Sequence, residues 1–197
     1  MEPDLADAGE PLEGGPAEGE GRRSGGLRNA IEWIAIVVGA FAVALVVKTF
    51  LIQAFYIPSE SMFPALTDDD RVLVNKLSYR LHDVRRGDLV VFERPPNEPE
   101  SEVKDLIKRV VALDGETIEE RDGALFIDGE PLDEPYLEPE VRSLNLTKTV
   151  VPEDHVFVMG DNRGASRDSR FFGPIHEDLI VGRAFVQVWP LLDAEVL

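Results

Sequence analysis

The chain contains the stretch Leu106-Ile107-Lys108-Arg109-Val110-Val111-Ala112-Leu113, an apolar run with two adjacent cations inside it. A short run rich in β-branched residues is typical of a buried strand. Successive side chains of a strand point to opposite faces, so we expect Lys108 to share a face with Val110 and Ala112 while Arg109 points the other way. This arrangement would bury the Lys108 amine and leave Arg109 to pair with a carboxylate.

Short β-like runs recur on both sides of this stretch. They occupy residues 71–75, 89–92, 156–159 and 180–189. The apolar residues 124–127 lie between two Asp-Gly dipeptides, which predicts a hairpin. Residues 130–145 are rich in Pro and Glu and are expected to form an exposed loop, and no amphipathic helix of convincing length is predicted after residue 56. We therefore predict a mainly β domain with Greek-key or barrel-like character over residues 56–197.

The N-terminal third of the chain is organised differently. Residues 1–28 contain few large apolar side chains and are predicted to form a disordered acidic tail. Residues 33–47 lack any charged or polar side chain, and the run resumes after Lys48 up to residue 52. A helix over residues 33–52 would span about 30 Å, the thickness of a hydrocarbon core. We predict a single transmembrane anchor over residues 29–55, with Lys48 reaching the headgroups.

Basic residues predict the orientation of this anchor. Arg22, Arg23 and Arg28 precede the run, and after Lys48 the next basic residue is Arg71. The positive-inside rule places the N-terminus in the cytoplasm and residues 56–197 on the outer side of the membrane. A cleaved signal peptide is an alternative, because Ala40-Phe41-Ala42 resembles a small-residue cleavage site. A buried helix of a soluble protein is a second alternative.

Composition excludes several classes of function. The chain has 38 acidic and 20 basic residues, so its surface is expected to repel nucleic acid. It has no cysteine, which excludes disulfides, thiol catalysis and thiolate metal sites. The three histidines are not at helical ligand spacing, and neither a metal nor a cofactor is predicted. The oligomeric state is not predicted.

A candidate nucleophile lies just beyond the apolar run, in Pro58-Ser59-Glu60-Ser61-Met62-Phe63-Pro64. A serine hydroxyl is a weak nucleophile until a base removes its proton. Without a suitable histidine, Lys108 is the candidate base, since burial can lower a lysine pKa by several units. The alternative is that Ser61 is only a turn residue between two prolines.

A third polar segment follows the predicted strand 156–159. It contains Gly160-Asp161-Asn162-Arg163 and then Ser166-Arg167-Asp168-Ser169-Arg170. It can be a solvated loop, but the flanking apolar residues favour partial burial, and a buried charge needs a partner. Asp168 with Arg170, and Asp161 with Arg109 or Arg163, are the plausible pairs.

These segments, taken in order, resemble the signature boxes of bacterial type I signal peptidase, a Ser-Lys protease. The nucleophile box resembles residues 58–66, the next box residues 86–92, the base box residues 108–116, and the last box residues 160–170. Ala65, Asp114 and Glu116 depart from the family pattern, and we expect the last two to change the geometry of a turn without removing the chemistry. The resemblance extends over about residues 30–190.

The resemblance implies a role for each matching residue. Ser61 would be the nucleophile, Lys108 the general base, Ser59 an oxyanion-hole donor and Ser166 the residue that orients the Lys108 amine. Structural support would come from Asp161, Arg163, Asp168 and Arg170. The substrate pocket would be lined by Ile57, Leu66 and Ile107. The enzyme would remove signal peptides from exported preproteins that bind as extended strands, with small residues at −1 and −3.

Two other readings are open. A self-cleaving SOS repressor also uses a Ser-Lys pair, but it would be a cytosolic protein with a DNA-binding half, whereas this chain has an apolar segment and an acidic tail. The second is a non-enzyme, a membrane-anchored β domain that binds exported chains or partners at its exposed edges, and the presence of Ser61, Lys108 and Ser166 argues against it.

Overall fold

The computed structural model describes residues 23–99 and 103–197, and it divides into two compact units between residues 44 and 45. Helix α1 spans Arg23–Val46, and a wide helical turn of the π type follows at Val47–Leu51. Of the predicted disordered tail, residues 1–22 lie outside the described residues. Residues 23–28 are helical, contrary to that prediction, because extending a helix adds hydrogen bonds without a new nucleation step.

One helix of the described chain is long and apolar enough to cross a membrane. Its stretch Arg28–Val46 has a mean hydropathy of 2.1, and none of it is buried. The exposure of this stretch gives no support to the alternative of a buried soluble helix. A signal sequence near an N-terminus also meets these criteria of length and hydropathy, so the predicted anchor stays a prediction.

The end of the predicted anchor differs from the structure. The prediction continues the helix to residue 52 and the anchor to residue 55, whereas the first strand, Ile52–Tyr56, already begins there. Its partner in an antiparallel pair is the segment Arg71–Asn75, with Ala54 opposite Leu73. A hydropathy pattern cannot predict this pairing, because the partner strand lies outside the apolar segment.

Twelve strands, two further short α-helices and two 3₁₀ turns, Glu60–Met62 and Glu177–Leu179, complete the described chain. In chain order the strands are β1 Ile52–Tyr56, β2 Arg71–Asn75, β3 Leu89–Glu93, β4 Asp105–Ala112, β5 Thr117–Arg121, β6 Ala124–Ile127, β7 Glu130–Pro131, β8 Thr149–Val150, β9 His155–Met159, β10 Ile175–His176, β11 Ile180–Trp189 and β12 Glu195–Val196. Helices α2 and α3 are single turns, Ser78–Leu81 and Ser169–Phe172. The prediction of a mainly β domain is confirmed, and each predicted strand matches an observed one.

Eight strands form one antiparallel sheet in the order β1-β2-β11-β3-β4-β9-β10, with β12 on β11. Strands β1 and β4 line the same cleft although three strands separate them, so the sheet curls into a half-barrel. Register shifts along β11 mark β-bulges, which bend a strand and increase its twist. The prediction of barrel-like character is therefore confirmed.

The other four strands form a smaller antiparallel sheet in the order β7-β6-β5-β8. The predicted hairpin is part of it, with a tight Asp-Gly turn at each end of β6. Asp122 and Gly123 have φ of 54° and 85°, and Asp128 and Gly129 have φ of 52° and 90°. Two consecutive residues at positive φ match the twist of the flanking strands, which is why Asp-Gly favours two-residue hairpins.

One apolar cluster supports the segment that carries Ser61. Ile57, Met62 and Leu66 from that segment are buried against Ile107 of β4 and against residues of β2, β3 and β11. Burying such side chains is worth about 1.5–3 kcal/mol each relative to exposure. This cluster therefore holds the Ser61 segment against β4.

Candidate active site

Ser61 lies in a helical turn, Glu60–Met62, that follows β1 after three residues. The loop after β9 holds this turn from the side: Asn162 N donates to Ser61 O at 3.1 Å, and Asn162 Nδ2 donates to Glu60 O at 3.1 Å. Ser61 is 8% exposed. A loop about 100 residues further along the chain thus fixes the backbone of the candidate nucleophile.

Lys108 meets Ser61 from the middle of β4. A hydrogen bond of 2.7 Å joins Lys108 Nζ and Ser61 Oγ. An ammonium donates across this distance, and a neutral amine can accept the hydroxyl proton over the same distance. The structure therefore brings together the two residues predicted as nucleophile and base, in the geometry that proton transfer requires.

Burial weakens the Lys108 ammonium. Lys108 is 4% exposed, and desolvation lowers its pKa from 10.5 to about 8. The carboxylates of Asp168, Asp161 and Glu98 oppose this effect. A usable fraction of the amine is therefore neutral near pH 8, which an exposed lysine would not achieve.

Ser59 lies on the open side of Ser61. Its backbone is extended, with φ −153° and ψ 152°, and its Oγ donates to Ser61 Oγ at 3.3 Å. Ser59 is exposed, so its hydroxyl can turn toward a bound ligand. The Ser61 N–H could act beside it as a second donor, because it belongs to the first turn of a helical segment, where N–H groups lack intrahelical acceptors.

Ser166 is close to the nucleophile segment, but its predicted hydrogen bond to Lys108 is absent from the described structure. Its Oγ is buried without a hydrogen-bond partner among the described residues. A buried hydroxyl without a partner is unusual and needs an explanation. Lys108 Nζ donates to Ser61 instead, so the orienting role of Ser166 stays a prediction.

Asp161 pairs with Arg109, which decides between the two predicted partners. Arg109 Nε and Nη2 donate to the carboxylate at 2.9 and 2.6 Å. Arg109 also stacks on the Tyr136 ring at 4.1 Å. Arg109 therefore pairs with a carboxylate, as we expected from its position on the strand face opposite Lys108.

Arg163 binds the loop between β7 and β8 instead of Asp161. It is 3% exposed, donates to Glu134 Oε1 at 2.5 Å and also donates to Ser143 Oγ. The predicted exposed loop is mostly exposed, but these two residues turn inward. No local pattern marks them, because their partner lies at least 20 residues away.

Asp168 and Arg170 form the predicted pair. Arg170 Nε and Nη2 each donate to the carboxylate at 2.8 Å, and Asp168 is fully buried. Asp168 also accepts from Gly160 N at 3.1 Å and caps α3. The pair closes the 160–170 loop on itself beside Ser61.

A cleft opens beside the Ser61–Lys108 pair. Of the predicted pocket residues, Ile57 and Ile107 line it, whereas Leu66 is fully buried in the core and does not. Asp105 and Val91 also line the cleft and were not predicted. Strand alternation from Ile107 would have indicated Asp105, which is two residues earlier.

The described residues contain no group of three His, Cys, Asp or Glu side chains that could hold a metal ion.

Glu116, one of the departures from the family pattern, accepts from Leu113 N at 2.7 Å and from Arg86 Nη2 at 2.6 Å. It thereby closes the turn after β4.

The chain is similar to known proteins over most of its length. A family model described as signal peptidase, peptidase S26, matches residues 30–189. The chain is 39% identical over 180 residues to "Signal peptidase I" of Leptolyngbya laminosa, covering 89% of this chain and 86% of that one. It is 42% identical over 164 residues to "Probable signal peptidase I-1" of a Synechocystis species, covering 81% and 82%. A crystal structure of a signal peptidase I from Enterococcus faecalis is 30% identical, with a TM-score of 0.42, and the match covers 52% of this chain and 97% of that one.

Proposed function

We propose that Ser61 and Lys108 carry out the catalysis of this chain, which belongs to the signal peptidase family, peptidase S26. The chain is a serine endopeptidase that removes signal peptides from preproteins. The observation that supports the proposed dyad is the 2.7 Å hydrogen bond between Lys108 Nζ and Ser61 Oγ inside a cleft. The family membership gives no support to the alternative of a self-cleaving repressor.

In the proposed mechanism, neutral Lys108 accepts the Ser61 proton as Ser61 Oγ attacks the carbonyl carbon of the scissile bond. The negative charge that develops on the carbonyl oxygen is bound by the Ser59 hydroxyl and the Ser61 N–H. Lys108 then gives its proton to the leaving amine as the C–N bond breaks. Water hydrolyses the resulting ester, with Lys108 again acting as the base.

The substrate is proposed to bind as an extended strand along β4. Strand β9 pairs with β4 only from Arg109 onward, so residues 105–108 have a free backbone edge on that side in the described sheet. Main-chain hydrogen bonds to such an edge bind a peptide without regard to its sequence. Ile57, Val91 and Ile107 narrow the cleft with apolar side chains, which favours small residues beside the scissile bond.

The membrane is the proposed setting of this reaction. The apolar stretch Arg28–Val46 supports an anchor, and the basic residues before it support a cytoplasmic N-terminus with the catalytic domain outside. Tyr56, Arg71 and Trp189 lie in one row across the sheet, and both aromatic side chains are exposed. Amphipathic aromatic rings favour the lipid–water interface, which supports contact of this end of the domain with lipid headgroups.

A cleavage assay on a detergent-solubilised full chain tests the dyad. The substrate is a signal peptide with alanine at −1 and −3, and the matched variants are Ser61→Ala and Ser169→Ala, a second buried serine that binds Val158 N. We expect Ser61→Ala to abolish cleavage and Ser169→Ala to retain it if the protein folds. Substantial cleavage by Ser61→Ala would eliminate Ser61 as the nucleophile.

A further inference from the structure

The carbonyl oxygen of Glu60, in the turn that carries Ser61, accepts two hydrogen bonds. Asn162 Nδ2 donates to it at 3.1 Å, and Phe63 N donates to it at 3.1 Å. A backbone carbonyl has two lone pairs and can only accept, so the Asn162 amide presents its NH₂ group to the turn. One backbone donor and one side-chain donor therefore fix the direction of the Glu60 carbonyl.

This carbonyl shares a rigid plane with the Ser61 N–H. The six atoms of a peptide unit are coplanar, and in a trans unit the C=O and N–H groups point in opposite directions. The unit that joins Glu60 to Ser61 is trans. The hydrogen bonds on the Glu60 carbonyl thus also set the direction of the Ser61 N–H. Because hydrogen bonds in a chain polarise one another, they make this N–H a stronger donor as well.

The cleft and Asn162 lie on different sides of this turn. Ser59 and Ser61 line the cleft, whereas neither Glu60 nor Asn162 is among its lining residues. The Ser61 N–H has no acceptor within the turn, since it belongs to the first turn of a helical segment. Pointing away from the Glu60 carbonyl, it is available to a ligand in the cleft beside the Ser59 hydroxyl.

Asn162 is itself held between two buried ion pairs. The residue before it, Asp161, is 1% exposed and pairs with Arg109. The residue after it, Arg163, is 3% exposed and pairs with Glu134. A side chain between two anchored neighbours can hold a reacting group within the narrow tolerance that catalysis requires.

We propose that Asn162 is a positioning residue of the oxyanion hole: its amide orients the peptide between Glu60 and Ser61 so that the Ser61 N–H meets the carbonyl oxygen of the scissile bond. The inference rests on the proposed roles of Ser61 and Lys108. When Ser61 Oγ bonds to the carbonyl carbon, Lys108 takes the Ser61 proton and the π electrons of the C=O bond move to its oxygen. A donor already aimed at that oxygen stabilises the new charge without reorganisation.

Asn162→Leu tests the proposal in steady-state kinetics of the full chain in detergent. Leucine has a similar size but no donor, so the peptide loses one of its two constraints. We expect kcat to fall about 10- to 100-fold and KM to change by less than about 3-fold, because the lost orientation matters mainly in the transition state. The matched control is Asn97→Leu, which removes an amide that donates to Phe172 O at 2.8 Å and should leave kcat nearly unchanged.

A pair of inhibitors separates an effect on the oxyanion from a general disturbance of the cleft. A peptide aldehyde that ends in alanine adds reversibly to Ser61 Oγ, and its carbonyl oxygen takes up the negative charge. The matching peptide alcohol binds without forming a bond. Asn162→Leu should weaken binding of the aldehyde about 10- to 100-fold relative to the alcohol. Asn162→Ala repeats the comparison with a smaller side chain, should the leucine variant fail to fold.

Equal weakening of both inhibitors would mean that Asn162 only supports the shape of the cleft, and it would overturn the proposal, as would unchanged binding of both. The dyad is judged separately in the parent chain, where Ser61→Ala must abolish the preference for the aldehyde. A parent chain without that preference would count against the dyad itself. A parent chain that has it, beside an Asn162→Leu protein that keeps it in full, would count against Asn162 alone.

Discussion

Gly160 and Ser166 approach so closely that a β-carbon on Gly160 would lie 2.2 Å from Ser166 Oγ. The same β-carbon would lie 2.4 Å from Ser61 O. Real β-carbons do not make contacts this short, so any side chain at position 160 must displace the nucleophile segment, Ser166, or both. The glycine is needed for this approach of three chain segments, and not for a positive φ.

Gly160→Ala should therefore lower kcat by about 10²-fold or more, because a displacement of about 1 Å at a catalytic group has effects of this size. Gly164→Ala, four residues along the same loop, is the matched control, since a β-carbon there would have no atom within 4 Å beyond its chain neighbours. Steady-state cleavage of one signal-peptide substrate compares the two variants. Equal activities would show that the loop adapts and that its contact with Ser61 is not critical.

The rate of cleavage should follow the protonation of Lys108. Only the neutral amine accepts a proton, so kcat/KM should rise with pH through about 8, the pKa that burial gives Lys108. Lys108→Arg stays protonated at every working pH and should lose activity by about 10³-fold or more. Circular dichroism must show that the variant is folded. A folded Lys108→Arg protein with near-normal turnover would exclude Lys108 as the base.

Burial of Lys108 should also reduce stability. Its pKa is 10.5 when unperturbed and about 8 in the folded protein, so between these values the unfolded chain binds a proton that the folded protein does not. The free energy of unfolding should therefore rise with pH between about 8 and 10.5. Below pH 8 it should be about 3 kcal/mol lower than above pH 10.5, because the buried amine must then carry a proton.

Lys108→Met should therefore raise the free energy of unfolding at pH 7 by about 1–3 kcal/mol and remove the rise between pH 8 and 10.5. Denaturant titration of the full chain in detergent at several pH values measures both effects. Lys148→Met, at a largely exposed position, should change little. A destabilised Lys108→Met protein would mean that the hydrogen bond to Ser61 outweighs the burial of charge.

Ser59→Ala should lower kcat by about 10²–10³-fold with little change in KM, because an oxyanion donor acts mainly in the transition state. Ser59→Thr keeps the hydroxyl and should retain more activity than Ala. If Ser59 only shapes the turn before Ser61, Ala and Thr will be equivalent and within a few-fold of the parent. Kinetics of both variants on one substrate distinguish these roles.

The proposed orientation predicts a simple proteolysis pattern in spheroplasts. Protease added from outside should digest residues 56–197 and spare a tag on the N-terminus. The tag should become accessible only after the membrane is permeabilised. An N-terminal tag that is digested in intact spheroplasts would reverse the orientation, and release of the chain by alkaline carbonate would contradict the anchor.

The sequence by itself determined six of the twelve strands in the described chain, the Asp-Gly turns, the long apolar helix and the segments that carry Ser61 and Lys108. Each of these depends on residues close together in the chain, so the period of the pattern or the spacing of a motif is enough to predict it. Lys108 and Arg109 are a good example, since the two-residue period of a strand already separates them onto opposite faces.

Only the tertiary structure decided which distant residues meet. It paired Asp161 with Arg109, Arg163 with Glu134 and Glu98 with Arg167, and it assigned residues 52–55 to a strand instead of the anchor. It also placed Leu66 in the core and left Ser166 without its predicted bond. The partners in these contacts are up to 69 residues apart, and their meeting depends on the curl of the sheet and the paths of its loops, which no local pattern encodes.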